Sequence, residues 1–178
     1  KRLKGFRVLA GCEVDILAEG KLDLPDKALA ALEFVIASIH SGMQQDAERT
    51  TARLVKAMRH PHVHAIAHPT GRVIGQRDPY ALNFDEVLRV ARETGTPLEI
   101  NAYTDRLDLN DVHARAARDA GVKLLIDTDS HAPQHLPMMR FGVATARRGW
   151  VTKGDVLNTL PLNELLKALG DKRPAQDL

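Results

Sequence analysis

Glu13, His40, His68, Asp129 and His131 could each ligate a cation, and each sits at or just past the C-terminal end of a short apolar run, with Asp129 and His131 sharing one. The runs are residues 6–10 leading into GCEVDIL, 34–37 leading into SIH, 65–67 leading into HPTGR, and 124–126 leading into DTDSHAP. Carboxylates and imidazoles together form a mixed oxygen and nitrogen donor set of the kind that Zn2+, Mn2+ or Fe2+ takes. Residues this far apart in sequence meet if their strands run parallel and open on one face, as the strands of a βα barrel do. Glu13 differs from the others because an ionised carboxylate inside Gly11-Cys12-Glu13-Val14 is costly to bury unless it is paired or metal-bound. Asp129 and His131 are one residue apart, so an extended chain would point both side chains to the same side.

Around these ligands lie residues that could orient them or meet a substrate. Glu99 and Asn101 in LEINA share a strand parity, which places Asn101 at the rim, where it could orient a bound water or substrate, and Glu99 deeper. Arg72 in HPTGR and Arg106 in DRLDLND follow ligand-rich strand ends, where a guanidinium fork can meet an anion. Asp15 and Asp127 have the parity of outer partners to the ligands or of polar groups inside the barrel. His64 lies four residues before His68, ~13 Å along a strand, too far to serve the same ion. His60, His62 and His64 are therefore expected at the opposite end of the strands, and His113 and His135 are expected not to be ligands.

The elements that must carry these groups follow from periodicity. Helical patterns at residues 26–32, 47–58, 85–94, 110–120 and 164–169 alternate with the strand runs, and 97–100 and 142–145 read as further strands. Asn83 with Glu86 three residues on suggests a capping box, while Gly95 and Gly121 fall where helices end in a left-handed residue. Six strands joined by crossovers imply an α/β fold with a parallel sheet, and ligands on one rim favour a barrel. A full eight-fold barrel typically takes ~250 residues. This chain has 178, so a smaller or partial barrel is expected, with any missing part before Lys1. KRLKGF is expected to be the end of a preceding helix, and the polar tail from Asp171 to be frayed.

Composition is 44% hydrophobic and 27% charged, enough for one sizeable core. The net charge of +2 is scattered, which permits a nucleic-acid partner without arguing for one. The single cysteine, Cys12, excludes a disulfide framework and is expected to be a buried, inert thiol. No run approaches the ~20 apolar residues of a membrane span. A cytoplasmic protein without membrane contact is expected.

Taken together and in this order, GCEVDIL, SIH, HPHVHAIAHPTGR, LEINAYTDRLDLND and DTDSHAP resemble the polymerase-and-histidinol-phosphatase (PHP) superfamily, and most of all the C-terminal PHP domain of bacterial family X DNA polymerases. Thr104 departs from the pattern, standing where related sequences commonly have proline. The resemblance implies that residues 1–178 are the C-terminal portion of a distorted (β/α)7, TIM-like barrel, with up to three metal ions in the full domain and a partial site in this chain. By resemblance, Glu13, His40 and His68 hold one ion, Glu13 bridges to a second that also takes Asp129, and His131 goes to a third. It implies Mn2+, with Zn2+ or Mg2+ as alternatives, and Glu13 and Asp129 as the catalytic pair, with Arg72, Asn101 and Arg106 against substrate. The implied activity is a 3′ to 5′ exonuclease or other 3′-end processing in DNA repair, with DNA as partner and a polymerase domain upstream in cis. A histidinol-phosphate-type phosphatase and an inactive scaffold supporting the polymerase are the alternatives.

Overall fold

The computed structural model describes residues 6–170. The apolar runs become five strands, β1 (Gly11–Asp15), β2 (Phe34–Ser38), β3 (Ala65–Ile66), β4 (Leu98–Asn101) and β5 (Leu124–Asp127). All neighbours pair in parallel, in the spatial order β1-β2-β3-β4-β5. Between them run α1 (Asp26–Ala30), α2 (Ala47–Met58), α3 (Phe84–Thr94) and α4 (Asp111–Asp119), followed by α5 (Met139–Arg148) and α6 (Leu162–Gly170). This is an α/β arrangement consistent with a TIM-like fold, and the sheet as described has two ends, at β1 and at β5. KRLKGF up to Gly5 and the tail from Asp171 lie outside the described residues.

Local sequence accounts for the helix boundaries. Asp46, Asn83 and Asn110 each sit in extended backbone and accept a hydrogen bond from the amide three residues on, at 2.8, 3.2 and 2.8 Å, which satisfies one of the free donors of a first turn. Gly95 ends α3 at φ 63°, a left-handed conformation that costs glycine nothing. Inward-facing Val14, Val35, Ala37, Ile66, Leu98, Ile100, Leu124 and Ile126 of the strands pack against Leu29, Leu54, Val87, Val90 and Ala117 of the helices in one core. Each buried large aliphatic side chain stabilises the fold by ~1.5–3 kcal/mol.

Two expected strands are corrected. Residues 6–10 lie outside the sheet, with Phe6 67% and Val8 76% exposed. Pairing begins at Gly11 opposite Phe34, so the residues before Gly11 would face α1 and the turn after it, where β2 has not yet started. Residues 142–145 are helical, in the middle of α5, so the described strands number five instead of six. Their small and β-branched side chains imitate a strand, but the buried positions, Gly142, Thr145 and Ala146, recur at helical spacing.

Gly142 fixes how α5 sits on the strand ends. A Cβ there would stand 2.7 Å from Ala102 Cβ and 2.7 Å from Ile126 Cγ2, closer than packed carbons approach. Gly142→Ala is therefore expected to destabilise the protein by about 1 to 2 kcal/mol through overpacking, despite the better helix propensity of alanine. Urea unfolding of the two proteins measures it, and an alanine variant as stable as wild type would contradict the close packing.

Beyond β5 the edge is closed by a side chain. Asn158 donates to the Ile126 carbonyl at 2.7 Å and accepts from the Ile126 amide at 3.1 Å, doing for that residue what a neighbouring strand would do. Among the described residues no helix is long and apolar enough to cross a membrane.

Candidate metal centre at the strand ends

His40, His68 and Asp129 share one placement, each two residues past the last residue of its strand. Glu13 instead projects from the middle of β1, opposite Ile36. Glu13 Oε1 stands 3.0 Å from His68 Nε2 and 3.5 Å from His40 Nε2, and the two imidazole rings lie 5.2 Å apart between centroids. Among the described residues these three form the group whose ligand atoms all lie within 4.8 Å of one another. One carboxylate and two imidazoles converging from three strands fit a divalent ion in donor type and spacing. The hydrogen bond from His68 holds Glu13 well below the usual carboxylate range, at about 2, against the opposing effect of burial, with the charge of His68, a Ser38 contact and His40 adding to it. Glu13 is thus an anion throughout the neutral range.

The neighbours of this triad orient it. Asp15, the last residue of β1, lies 2.6 Å from His40 Nδ1, which leaves Nε2 facing Glu13. A carboxylate behind the second nitrogen is the common way of fixing the ring and tautomer of a ligating histidine. His68 is 2% exposed in its side chain, and its backbone is left-handed at φ 29°. That conformation is costly for a residue with a Cβ and is held from below, where the Glu99 carboxylate accepts from the His68 amide. Asp129 repeats the pattern. Its φ is 46°, and Asp127 Oδ1 accepts from its amide at 3.1 Å.

Glu99 and Asp127 also touch each other. Burial, then the neighbouring Asp127 charge, pushes the Glu99 carboxyl well up, and burial likewise raises Asp127. Two carboxyls this close in the interior share a proton instead of both ionising. The deeper position expected for Glu99 is its observed one, at 3% exposure.

Asp129 is not within the triad. Its Oδ2 accepts from Asn101 Nδ2 at 3.2 Å and lies 3.7 Å from Arg106 Nε. His131 is 76% exposed in its side chain, with Nδ1 2.8 Å from the Asp129 carbonyl oxygen and 3.6 Å from Asp129 Oδ1. The parity argument for Asp129 and His131 does not hold, because β5 ends at Asp127 and the left-handed turn at Asp129 breaks the alternation of an extended chain. Arg72 donates to the carbonyls of Arg106, at 2.8 Å, and of Leu107, so two of its three nitrogens brace the loop that carries Arg106. Arg106 Nη1 is buried and without a hydrogen-bond partner among the described residues, a free donor next to the Asp129 carboxylate. Cys12 is partly exposed rather than buried, its Sγ 3.1 Å from the Glu13 carbonyl oxygen. His64 accepts from the Val35 amide at 3.0 Å near the start of β2, at the opposite end of the strands, as expected.

Two residues that serve the site escape the motif reading. Asp108 is wholly buried and accepts from the Thr70 amide at 3.0 Å, tying the loop after β3 to the loop after β4. The sequence signal was there, since Asp108 stands between two leucines. Arg53 of α2 is also buried. It falls on the stripe formed by Thr50, Leu54, Ala57 and Met58, where an apolar residue is the expectation, and a charge at such a position needs partners.

The chain is 44% identical over 162 residues to DNA polymerase/3′-5′ exonuclease PolX of Bacillus subtilis, an alignment covering 91% of this chain and 28% of that protein. It is 30% identical over 169 residues to a probable phosphatase of Thermoanaerobacter sp. (strain X514), covering 89% of this chain and 66% of that protein. A probable phosphatase of Caldicellulosiruptor bescii is 36% identical over 107 residues, covering 57% of this chain and 41% of that protein. The chain therefore spans about a quarter of the polymerase and about two thirds or less of these phosphatases. No protein-family model matches the chain.

Proposed function

From the premise that this chain belongs to the PHP family and resembles the C-terminal PHP domain of a family X polymerase, we propose that it is a metal-dependent phosphoesterase acting on DNA 3′ ends. The observation that carries the reading is the convergence of Glu13, His40 and His68. Asp129, Asn101 and Arg106 lie together on the ends of β4 and β5, the strands that follow in the same sheet. Glu13, His40 and His68 would hold the first ion, with Asp129 and His131 serving the others. Mn2+ is the ion favoured, with Zn2+ or Mg2+ as substitutes. A divalent cation there supplies a Lewis acid that polarises a phosphoryl oxygen and makes water a stronger acid at neutral pH.

The remaining steps belong to the protein. Glu13, ionised at neutral pH, contributes fixed negative charge beside both imidazoles. Asn101 donates to one Asp129 oxygen and accepts from the Tyr103 amide at 2.9 Å, which locks the carboxamide and therefore the carboxylate. Arg106, whose Nε lies 3.7 Å from Asp129 Oδ2, would meet a phosphate oxygen beside that carboxylate, and Arg72 supports it from behind by holding the Arg106 and Leu107 carbonyls. A single-stranded 3′ end would be drawn in by its backbone charge, not by base readout. DNA, and a polymerase domain in cis, are the partners of this reading.

The test is Mn2+-dependent release of nucleotides from a 3′-labelled single strand by the full-length protein. Asp129→Asn is expected to lower release ~10- to 100-fold, as loss of a group that orients a metal site typically does. Undiminished release by that variant would reject the assigned residues. The probable-phosphatase relatives favour a second reading, hydrolysis of small phosphomonoesters. Preference for a phosphomonoester over the labelled strand would establish it in place of the first.

A further inference from the structure

The guanidinium of Arg53 spends every donor it has on two loops. Nε donates to the Leu17 carbonyl at 2.8 Å and Nη2 to the carbonyls of Ile16 and, at 3.0 Å, Ser41. Nη1 donates to the Gly42 carbonyl at 3.3 Å and to Gln45 Oε1 at 3.1 Å. Ile16 and Leu17 directly follow Asp15, and Ser41 and Gly42 directly follow His40. Among the described residues no hydrogen bond of Arg53 reaches the segments after β3, β4 or β5, so its reach is confined to the Glu13 and His40 side of the centre.

We propose that Arg53 is a positioning residue of the metal centre, whose buried fork sets the distance between the β1 loop and the β2 loop, and through them the Asp15–His40–Glu13 alignment. This rests on the reading that Glu13, His40 and His68 hold a cation. Five hydrogen bonds in a rigid planar array define both the spacing and the tilt of the two loops, which a lysine ammonium with three donors on a flexible stem cannot reproduce. The pairing of β1 with β2 ends at Asp15 and Ser38 and is extended by one backbone bond, from the Ile16 amide to the Ser38 carbonyl at 2.7 Å, so beyond it the loops are joined by side chains, Arg53 and the 3.3 Å bond from Gln45 to the Ala18 carbonyl. The 2.6 Å contact between Asp15 and His40 spans the two loops, so any loosening acts on the imidazole first.

The experiment compares Arg53→Lys with Leu54→Ala, a destabilising change at the next, equally buried position of α2, in the full-length protein. Mn2+ affinity is measured by calorimetric titration and global stability by unfolding without metal. Arg53→Lys is expected to weaken Mn2+ binding ~10-fold or more. Leu54→Ala, at comparable loss of stability, should leave binding close to wild type. Equal affinity changes in the two variants, or an unchanged affinity in Arg53→Lys, would overturn the proposal. Should the lysine variant not fold, Gln45→Ala removes one acceptor of the fork and the Gln45 bond to the Ala18 carbonyl, and is expected to weaken Mn2+ binding to a smaller extent. Wild-type affinity in that folded variant would equally overturn it. A wild-type protein that binds no Mn2+ would remove the metal-centre reading itself, and this proposal with it.

Discussion

Glu13→Gln is expected to abolish metal-dependent hydrolysis, lowering the rate by about a thousandfold, or roughly 4 kcal/mol of barrier. The substitution preserves shape and hydrogen-bonding capacity but removes the one anionic charge that faces both His68 and His40. Because His68 holds the Glu13 carboxyl at about 2, that charge is present at every pH at which the proposed activity would be assayed, and no change of buffer restores it in the variant. The same shift has a signature in the metal-free protein. A carboxyl whose folded pKa is depressed contributes stability that is full above its unfolded value, near 4.3, and is lost as pH falls toward 2. Wild type should therefore lose stability over that acid window, and Glu13→Gln should lose less. Rate assays at saturating Mn2+ together with acid unfolding without metal check both halves. A variant with wild-type turnover would remove Glu13 from the centre.

How far the sequence determines this site can be judged residue by residue. His40 and His68 were legible because an apolar run followed at once by a histidine and a turn places that side chain at a strand end, and parallel pairing then gathers the ends. Glu13 was legible as a charge in an apolar run, although it is exposed at the sheet instead of buried and finds His68 as its partner there. Five of the six helices, all but α5, were legible from their periodicity, down to the capping side chain of Asn83. The register was not. Residues 6–10 look as apolar as a strand, yet strand pairing depends on where the neighbour begins, and Phe34 is far away in sequence. Residues 142–145 failed for a related reason, since four small residues carry no period of their own and only contact with Ala102 and Ile126 decides their state. The same-side geometry expected of Asp129 and His131 was not legible, because it assumed an extended chain where the backbone turns left-handed. Arg53 and Asp108 hold loops by their backbone carbonyls and amides, so residue type marks them only as charges among apolar neighbours and does not say which segments they hold. Sequence thus exposes groups that act through their side-chain chemistry, and conceals those that act by holding main chain.

Glu99→Gln is expected to stabilise the metal-free protein at pH 8 and to make little difference near pH 4. Burial, reinforced by Asp127, raises the Glu99 carboxyl well above its ordinary value. For a carboxyl shifted upward the linkage runs opposite to that of Glu13. Its contribution to stability is complete below the unfolded value near 4.3 and is lost as pH rises through the folded one, because folding must then take up a proton or bury a charge. Glutamine mimics the protonated acid, since its oxygen can accept from the His68 amide and its amide nitrogen can donate to Asp127. The left-handed backbone of His68 stays supported while the proton demand disappears. Urea unfolding of both proteins at pH 4, 6 and 8 measures the difference, which should be larger at pH 8 than at pH 4. A glutamine variant less stable than wild type at pH 8 would mean that Glu99 is held as an anion, and that the carboxyl pair beneath the ligand loops does not share a proton.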